Sequence, residues 1–314
     1  MKMNEDQISG PRRDFVGYGR HIPKVSWPDE ARVAVNLVIN YEEGSEVQMS
    51  ADGRNESILG EMSLGLESQY RDLALESVYE YGARAGIWRL QRMFDSRSIP
   101  TTVFAAAVAL ERNLEVARWL RDSEHEICSH GWRWEEVWRL TRDDERAHID
   151  AAVKSFEETC GRRPLGWYCR YGPSVHTREL LVEEGGFTYD ADAYNDDLPY
   201  NVEVLGRRHL IVPYSFTYND ARFVASQGYG GPSDFLDNIK RGFDYLWEEG
   251  ESHPRMMSIG LHPRLVGQAS RASALAEFLD YARKKGGVWF ARRIDIAEWW
   301  NNHFLEFALD IQDS

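Results

Sequence analysis

Short apolar, β-branched runs alternate with longer amphipathic stretches along almost the whole chain, which narrows the fold to a mainly parallel sheet with helices packed outside it. The strand-like runs are Arg32 to Asn40, Thr101 to Ala107, Glu126 to Ser129, Gly166 to Arg170, Thr188 to Ala193, His209 to Tyr214, Met256 to Leu261 and Gly287 to Ala291. Helix-like segments lie between them: Glu76 to Arg97, Leu114 to Ser123, Arg142 to Cys160, Thr177 to Glu184, Asp234 to Glu249, Ala272 to Lys285 and Asp295 to Phe304. Thr141 before two acids reads as an N-cap, and Gly161, Gly185, Gly250 and Gly286 stand where helices would stop. Seven or eight such units predict an α/β fold of (β/α) barrel type in one domain, 1–314. Residues 1–31 would be an N-terminal extension packed on the barrel, and 44–75 a long βα loop.

With 51 acidic against 37 basic residues and a net charge of −14, the chain is a poor partner for phosphate backbones or anionic membranes. A small neutral or weakly polar substrate suits it better than a nucleic acid or a bilayer. The longest apolar runs, such as Ala105 to Leu110, are too short to span a membrane. The charged start, Met1 to Arg13, lacks the apolar centre of a signal peptide, so a cytoplasmic location is expected. Cys128, Cys160 and Cys169 form no ribbon or redox spacing and are expected to be reduced.

In barrels of this kind chemistry gathers at the C-terminal strand ends. The apolar run Val33 to Ile39 leads into Tyr41-Glu42-Glu43-Gly44, placing two adjacent carboxylates where a buried strand emerges. Buried acids need pairing, a cation or proton chemistry to justify their desolvation. Ser129-His130-Gly131 follows the third run, Arg170 ends the fourth, Asp190 and Asp192 lie in the fifth, and His262 follows the seventh. Each alone reads as a surface residue or an ordinary ion pair; their shared placement makes them a candidate site.

These residues belong to longer motifs: Val16-Gly17-Tyr18-Gly19-Arg20, Asn40-Tyr41-Glu42-Glu43-Gly44, Glu80-Tyr81-Gly82-Ala83-Arg84-Ala85-Gly86, Ser129-His130-Gly131-Trp132-Arg133-Trp134, Tyr189-Asp190-Ala191-Asp192-Ala193-Tyr194 and Leu261-His262-Pro263-Arg264. Together they resemble the polysaccharide deacetylase superfamily (NodB homology), and within it the branch of PuuE-type allantoinases and cyclic imide hydrolases. The resemblance covers nearly the whole chain. It implies a distorted (β/α) barrel that hydrolyses a non-peptide C–N bond, and a homo-oligomer, dimer or tetramer.

Deacetylases of this superfamily carry an Asp-Asp pair, one acid a base and one a metal ligand, with two histidines four residues apart. Here Glu42 stands at the base position and Glu43 at the ligand position. His130 remains, but Trp134 replaces the second histidine. A catalytic zinc wants three protein ligands and a water. Glu43 and His130 alone make a poor cage, to which His176 or another histidine could add a third ligand, so no cofactor is favoured over a weakly bound divalent ion such as zinc. The resemblance implies hydrolysis of a small cyclic amide: Glu42, with Glu43, activates water, His262 protonates the departing nitrogen, and Arg170 orients the base. Asp190 or Asp192 would hold the His262 imidazole. Trp134 is expected to wall the pocket with Tyr194 nearby, Trp132 to pack in the core, and Arg264 to bind product or form an ion pair. Met49-Ser50-Ala51-Asp52-Gly53 stands where relatives carry Leu-His-Gly-Asp, so the long loop sets specificity or a subunit contact. An N-deacetylase of an amino-sugar polymer and a non-catalytic small-molecule binder are the alternatives.

Overall fold

The computed structural model describes residues 10–56, 66–67 and 69–312. Within the expected 44–75 loop, residues 57–65 and 68 lie outside the described residues, as do 1–9 of the N-terminal extension. The sheet contains β1 (Val33–Tyr41), β2 (Thr102–Ala105), β3 (Glu126–Ser129), β4 (Gly166–Trp167), β5 (Tyr189–Asp190), β6 (Tyr200–Val204), β7 (Arg207–Ile211), β8 (Arg255–Leu261) and β9 (Val288–Phe290). Their order is β6-β7-β5-β4-β3-β2-β1-β8, and β9 pairs in parallel with Val33–Val35 of β1. All eight expected strands are present. The added strand, β6, runs antiparallel to β7.

The sheet curls into a distorted (β/α) barrel. Its open side is spanned by a parallel bridge from Asn219, beyond β7, to Gly260 of β8. Helices α1 (Leu73–Tyr81), α2 (Ile87–Asp95), α3 (Ala107–Arg112), α4 (Leu114–Arg121), α5 (Arg142–Cys160), α6 (Thr177–Glu184), α7 (Pro232–Glu249), α8 (Ala269–Lys285) and α9 (Arg293–Gln312) account for the amphipathic stretches. On α5 the expected stops hold: Thr141 Oγ1 accepts from Asp144 N at 3.2 Å, and Gly161 ends the helix at φ 69°.

Every residue of β1 is buried, as a central parallel strand requires. Its alternation sorts the two faces. Val33, Val35, Leu37, Ile39 and Tyr41 join the core beneath the helices. Ala34 and Val38 join an inner cluster with Phe104, Tyr168, Tyr189 and Tyr214. The inner face also carries Asn36, which receives Arg293 Nη1 at 3.2 Å; that guanidinium reaches Ser258 Oγ at 2.9 Å and Pro213 O at 2.8 Å, tying the start of α9 into the barrel. Trp27 packs against Trp289 and Trp300 and donates its indole N–H to Arg255 O at 2.9 Å, so residues around Trp27 lie against β8 and α9.

The helix expected over Glu76–Arg97 is interrupted by a π turn at Gly82–Gly86. The extra residue turns both glycines toward the strand ends: a Cβ on Gly82 would overlap the Glu43 carboxylate, and one on Gly86 the Pro263 carbonyl. Close approach of this helix to β1 and β8 therefore rests on those two glycines. The three cysteines are free and buried.

Candidate active site

Continuing the alternation of β1, Glu42 falls on the inner face with Asn40 and points into the barrel mouth. There it meets three side chains. Arg264 Nη2 donates to Glu42 Oε2 at 2.7 Å, while His130 Nε2 and His262 Nε2 lie 3.2 and 3.6 Å from Oε1. All four side chains are buried, Glu42 at 1% exposure and Arg264 at 0%. Burial alone would raise the Glu42 carboxyl, but Arg264 and His262 outweigh it and hold it well below the ordinary range. Glu42 is an ionised carboxylate.

Glu43 turns toward the helices. Its Oε2 accepts from Glu42 N at 3.1 Å, and its Oε1 lies 3.3 Å from Arg264 N and 3.5 Å from Arg264 Nη1. Burial, opposed by Arg264 and reinforced by the neighbouring Glu42 charge, pushes Glu43 up to about 7. On its far side lies a cavity of about 280 Å³, also lined by Glu46, Tyr79 and Arg112.

His262 is oriented by Asp220, from the short turn Asp220–Phe223. Asp220 Oδ1 lies 2.6 Å from Nδ1, and Oδ2 accepts from the backbone N–H groups of His262 and Val266 at 2.7 and 3.0 Å. Burial would depress the imidazole, yet Asp220 and Glu42 raise it to about 9, so it carries a proton at neutral pH. This is the arrangement of an ionised acid and a protonated histidine whose reactive atoms face each other. His130 is engaged at both nitrogens. Nδ1 donates to Tyr168 O at 3.0 Å, and Nε2 receives the Trp134 indole N–H at 3.1 Å.

Several expected partnerships differ. Arg170 does not orient Glu42: its guanidinium pairs with Glu56 at 2.9 Å, donates to Trp134 O at 2.8 Å and stacks on the Trp134 ring at 3.7 Å, leaving the base to Arg264. Nor do Asp190 and Asp192 hold His262. Tyr189 and Ala191 face the inner cluster, so the two acids face outward. Asp190 pairs with Arg178 and His209, both at 2.9 Å; burial opposes ionisation there, but the Arg178 charge and the hydrogen bond with His209 bring it down to about 2. Asp192 accepts from Cys169 N at 2.9 Å, and burial with the Asp190 charge pushes it up to about 7. The two tryptophans exchange their expected places: Trp134 is 2% exposed, its face covered by Arg170, whereas Trp132 is 38% exposed. Tyr194 lies at the rim, stacked on Phe216 at 4.2 Å, its hydroxyl 2.9 Å from that of Tyr168, which stacks on His130.

Sequence reasoning missed Asp220 altogether; the Asn-Asp pair Asn219-Asp220, after the aromatic stretch that follows β7, was the available signal. A family metal does not fit this donor set. The His130 nitrogen a cation would need holds an indole N–H, and the positive charge beside both glutamates is already supplied by Arg264. Among the described residues no group of three or more His, Cys, Asp or Glu side chains is placed to hold a metal ion, and His176 completes none.

A curled β/α barrel whose strand ends join an ionised acid to a protonated histidine defines a hydrolase built on the deacetylase-type barrel. The profile of the polysaccharide deacetylase family matches residues 73–189. A Schizosaccharomyces pombe protein carrying that family name is 33% identical over 310 residues, covering 92% of this chain and 97% of the relative. The chain belongs to the polysaccharide deacetylase family, whose members hydrolyse C–N bonds. Its fold is similar to the crystal structures of Puue allantoinase (TM-score 0.89, 43% identity, 94% of this chain and 98% of that one) and of a Pseudomonas aeruginosa PAO1 protein with the deacetylase name (TM-score 0.88, 45% identity, 92% and 98%). These matches place it in the NodB/PuuE branch.

Proposed function

We propose that the protein opens a cyclic amide, a ureide or imide, at a non-peptide C–N bond. The observation that carries this reading is the position of Arg264, bridging Glu42 and Glu43 where a divalent ion would otherwise balance their charge. A guanidinium compensates carboxylates but offers no coordination position from which to polarise a carbonyl oxygen. Arg264 also keeps Glu42 ionised at the expense of its basicity. A weak base without a Lewis acid needs an electrophilic carbonyl, which a strained ring carbonyl flanked by nitrogen or a second carbonyl provides and an ordinary acetamide does not. The similarity to Puue allantoinase supports the same substrate class.

In the proposed reaction a water at Glu42 Oε1 attacks the ring carbonyl carbon and yields its proton to that carboxylate. The C–N bond breaks as the His262 Nε2 proton passes to the departing nitrogen. The proton on Glu42 then returns to His262 across the 3.6 Å between Oε1 and Nε2, so one water is consumed and both groups are reset. Tyr194 and Phe216 would offer a flat aromatic rim to the ring. The same reading takes the protein as a cytoplasmic homo-oligomer.

The family name shared by the relatives supports a second reading, acetate release from an amino sugar. One experiment separates the two. Chelator-treated, metal-analysed protein is incubated with allantoin, succinimide, glutarimide, hydantoin, dihydrouracil and an N-acetylglucosamine oligomer, and products are followed by mass spectrometry. Ring opening without added metal is the expected result; acetate release that returns only with zinc would overturn the proposal. Glu42→Gln and His262→Ala should each lower kcat by orders of magnitude in a folded protein, which a non-catalytic binder would not show.

A further inference from the structure

The turn after β3 carries His130 and Trp134, and its backbone is held from outside by His148, a residue the proposed chemistry does not use. His148 lies on α5 and is buried, packed edge-on against Trp167 at 6.3 Å and 77°. Its Nε2 is 3.0 Å from the backbone nitrogen of Trp132, and its Nδ1 is 3.1 Å from Glu135 Oε1. A backbone N–H only donates, so Nε2 holds the lone pair and Nδ1 carries the hydrogen given to Glu135. The geometry allows one neutral tautomer.

That bond acts on a single peptide plane. The peptide linking Gly131 to Trp132 presents its carbonyl to Ala107 N–H at 3.0 Å and its N–H to His148, so it is pinned from both sides. Gly131, at φ +85°, is what lets the imidazole come so near: a Cβ there would stand 2.5 Å from His148 Nε2. The residue before this peptide is His130, 3.2 Å from Glu42, and two residues beyond Trp132 is Trp134, whose indole donates to His130 at 3.1 Å. Tilting the 131–132 peptide moves both ends of that contact chain.

We propose that His148 is a positioning residue: by accepting the Trp132 N–H it fixes the 131–132 peptide, and through it the Trp134–His130–Glu42 contacts at the barrel mouth. The kinetic part of the test rests on the ring-opening function; the spectroscopic part does not. His148→Gln places an amide oxygen at the reach of Nε2 and can accept from Trp132, whereas the shorter His148→Asn cannot. Both keep a buried polar side chain, so the comparison does not depend on an alanine variant folding. Expected results are near-normal kcat for His148→Gln and a fall on the order of tenfold to a hundredfold for His148→Asn, with KM little changed in either. The Trp134 indole ¹H–¹⁵N resonance, assigned with Trp134→Phe, should stay in place in His148→Gln and move in His148→Asn. Equal kcat values in the two variants, or an indole resonance that responds alike in both, would overturn the assignment. Should the wild-type protein open none of the rings, the ring-opening function fails, and the resonance alone decides the role of His148.

Discussion

Asp220→Asn isolates the role given to His262. Asp220 bonds His262 Nδ1 with one oxygen and the backbone N–H groups of His262 and Val266 with the other. An amide cannot serve all three: with its oxygen on the two N–H groups, its NH₂ faces Nδ1 and the imidazole must accept there. In the native protein burial pulls the imidazole down, while Asp220, then Glu42, lift it to about 9 from an ordinary 6.5. At 1.36 kcal/mol per pKa unit, that difference corresponds to about 3 kcal/mol of preference for the protonated form. Removing the Asp220 charge takes away the largest favourable contribution and leaves burial in place, so the variant imidazole falls toward or below its ordinary value.

The assay is the pH dependence of kcat/KM for ring opening. On the proposed mechanism activity needs Glu42 ionised and His262 protonated, so its alkaline limb should lie near the raised value of about 9. In Asp220→Asn that limb should move down by more than about one pH unit, with kcat at neutral pH lower by roughly 10²–10⁴-fold. Stability has the same sign. A histidine raised on folding contributes fully below its unfolded value of 6.5, and the contribution is lost as pH rises through about 9. Urea unfolding should therefore show His262 giving up about 3 kcal/mol across that window in the wild type and little of it in the variant. An alkaline limb that coincides with wild type, or undiminished turnover, would refute the assignment of His262 as proton donor.

Asp190→Asn is the matching contrast: it removes the partner of Arg178 and His209 on the outer face, so urea unfolding should show a loss of about 3–5 kcal/mol while the alkaline limb stays in place. Arg264→Gln leaves two buried carboxylates without their guanidinium; a comparable loss is expected, and the acid limb of kcat/KM should move upward as Glu42 becomes harder to ionise. Gly82→Ala forces a methyl onto the Glu43 carboxylate, so thermal unfolding should show a loss of about 1–3 kcal/mol together with a lower kcat. Light scattering of the purified protein tests the proposed homo-oligomer.

The strands were legible where both faces are buried, because a continuous apolar run such as β1 has few other uses. Strand β6 was not: its residues are only partly buried, and its two-residue hairpin turn is Leu205-Gly206, at φ 51° and 71°, without the Asn-Gly or Asp-Gly that marks such turns. The π turn at Gly82–Gly86 inserts a single residue, too little to disturb the helical period. At the site, strand-end placement proposes Glu42 and His262, which the fold brings within 3.6 Å of each other, whereas their partners depended on which strands are neighbours. Beside β1 lie β2 and β8, so a charge at the end of β8, Arg264, meets Glu42, while Arg170 follows β4, three strands away. Likewise the chain beyond β7 returns to β8 through the Asn219–Gly260 bridge, which delivers Asp220 to His262. The misassigned Asp190 could have been corrected from alternation alone: with Tyr189 and Ala191 facing inward, the acid between them must face the helices. Residue type and strand position thus point to the proposed reacting groups, strand order selects the charges that tune them, and the Asp220→Asn and Asp190→Asn pair tests that second dependence directly.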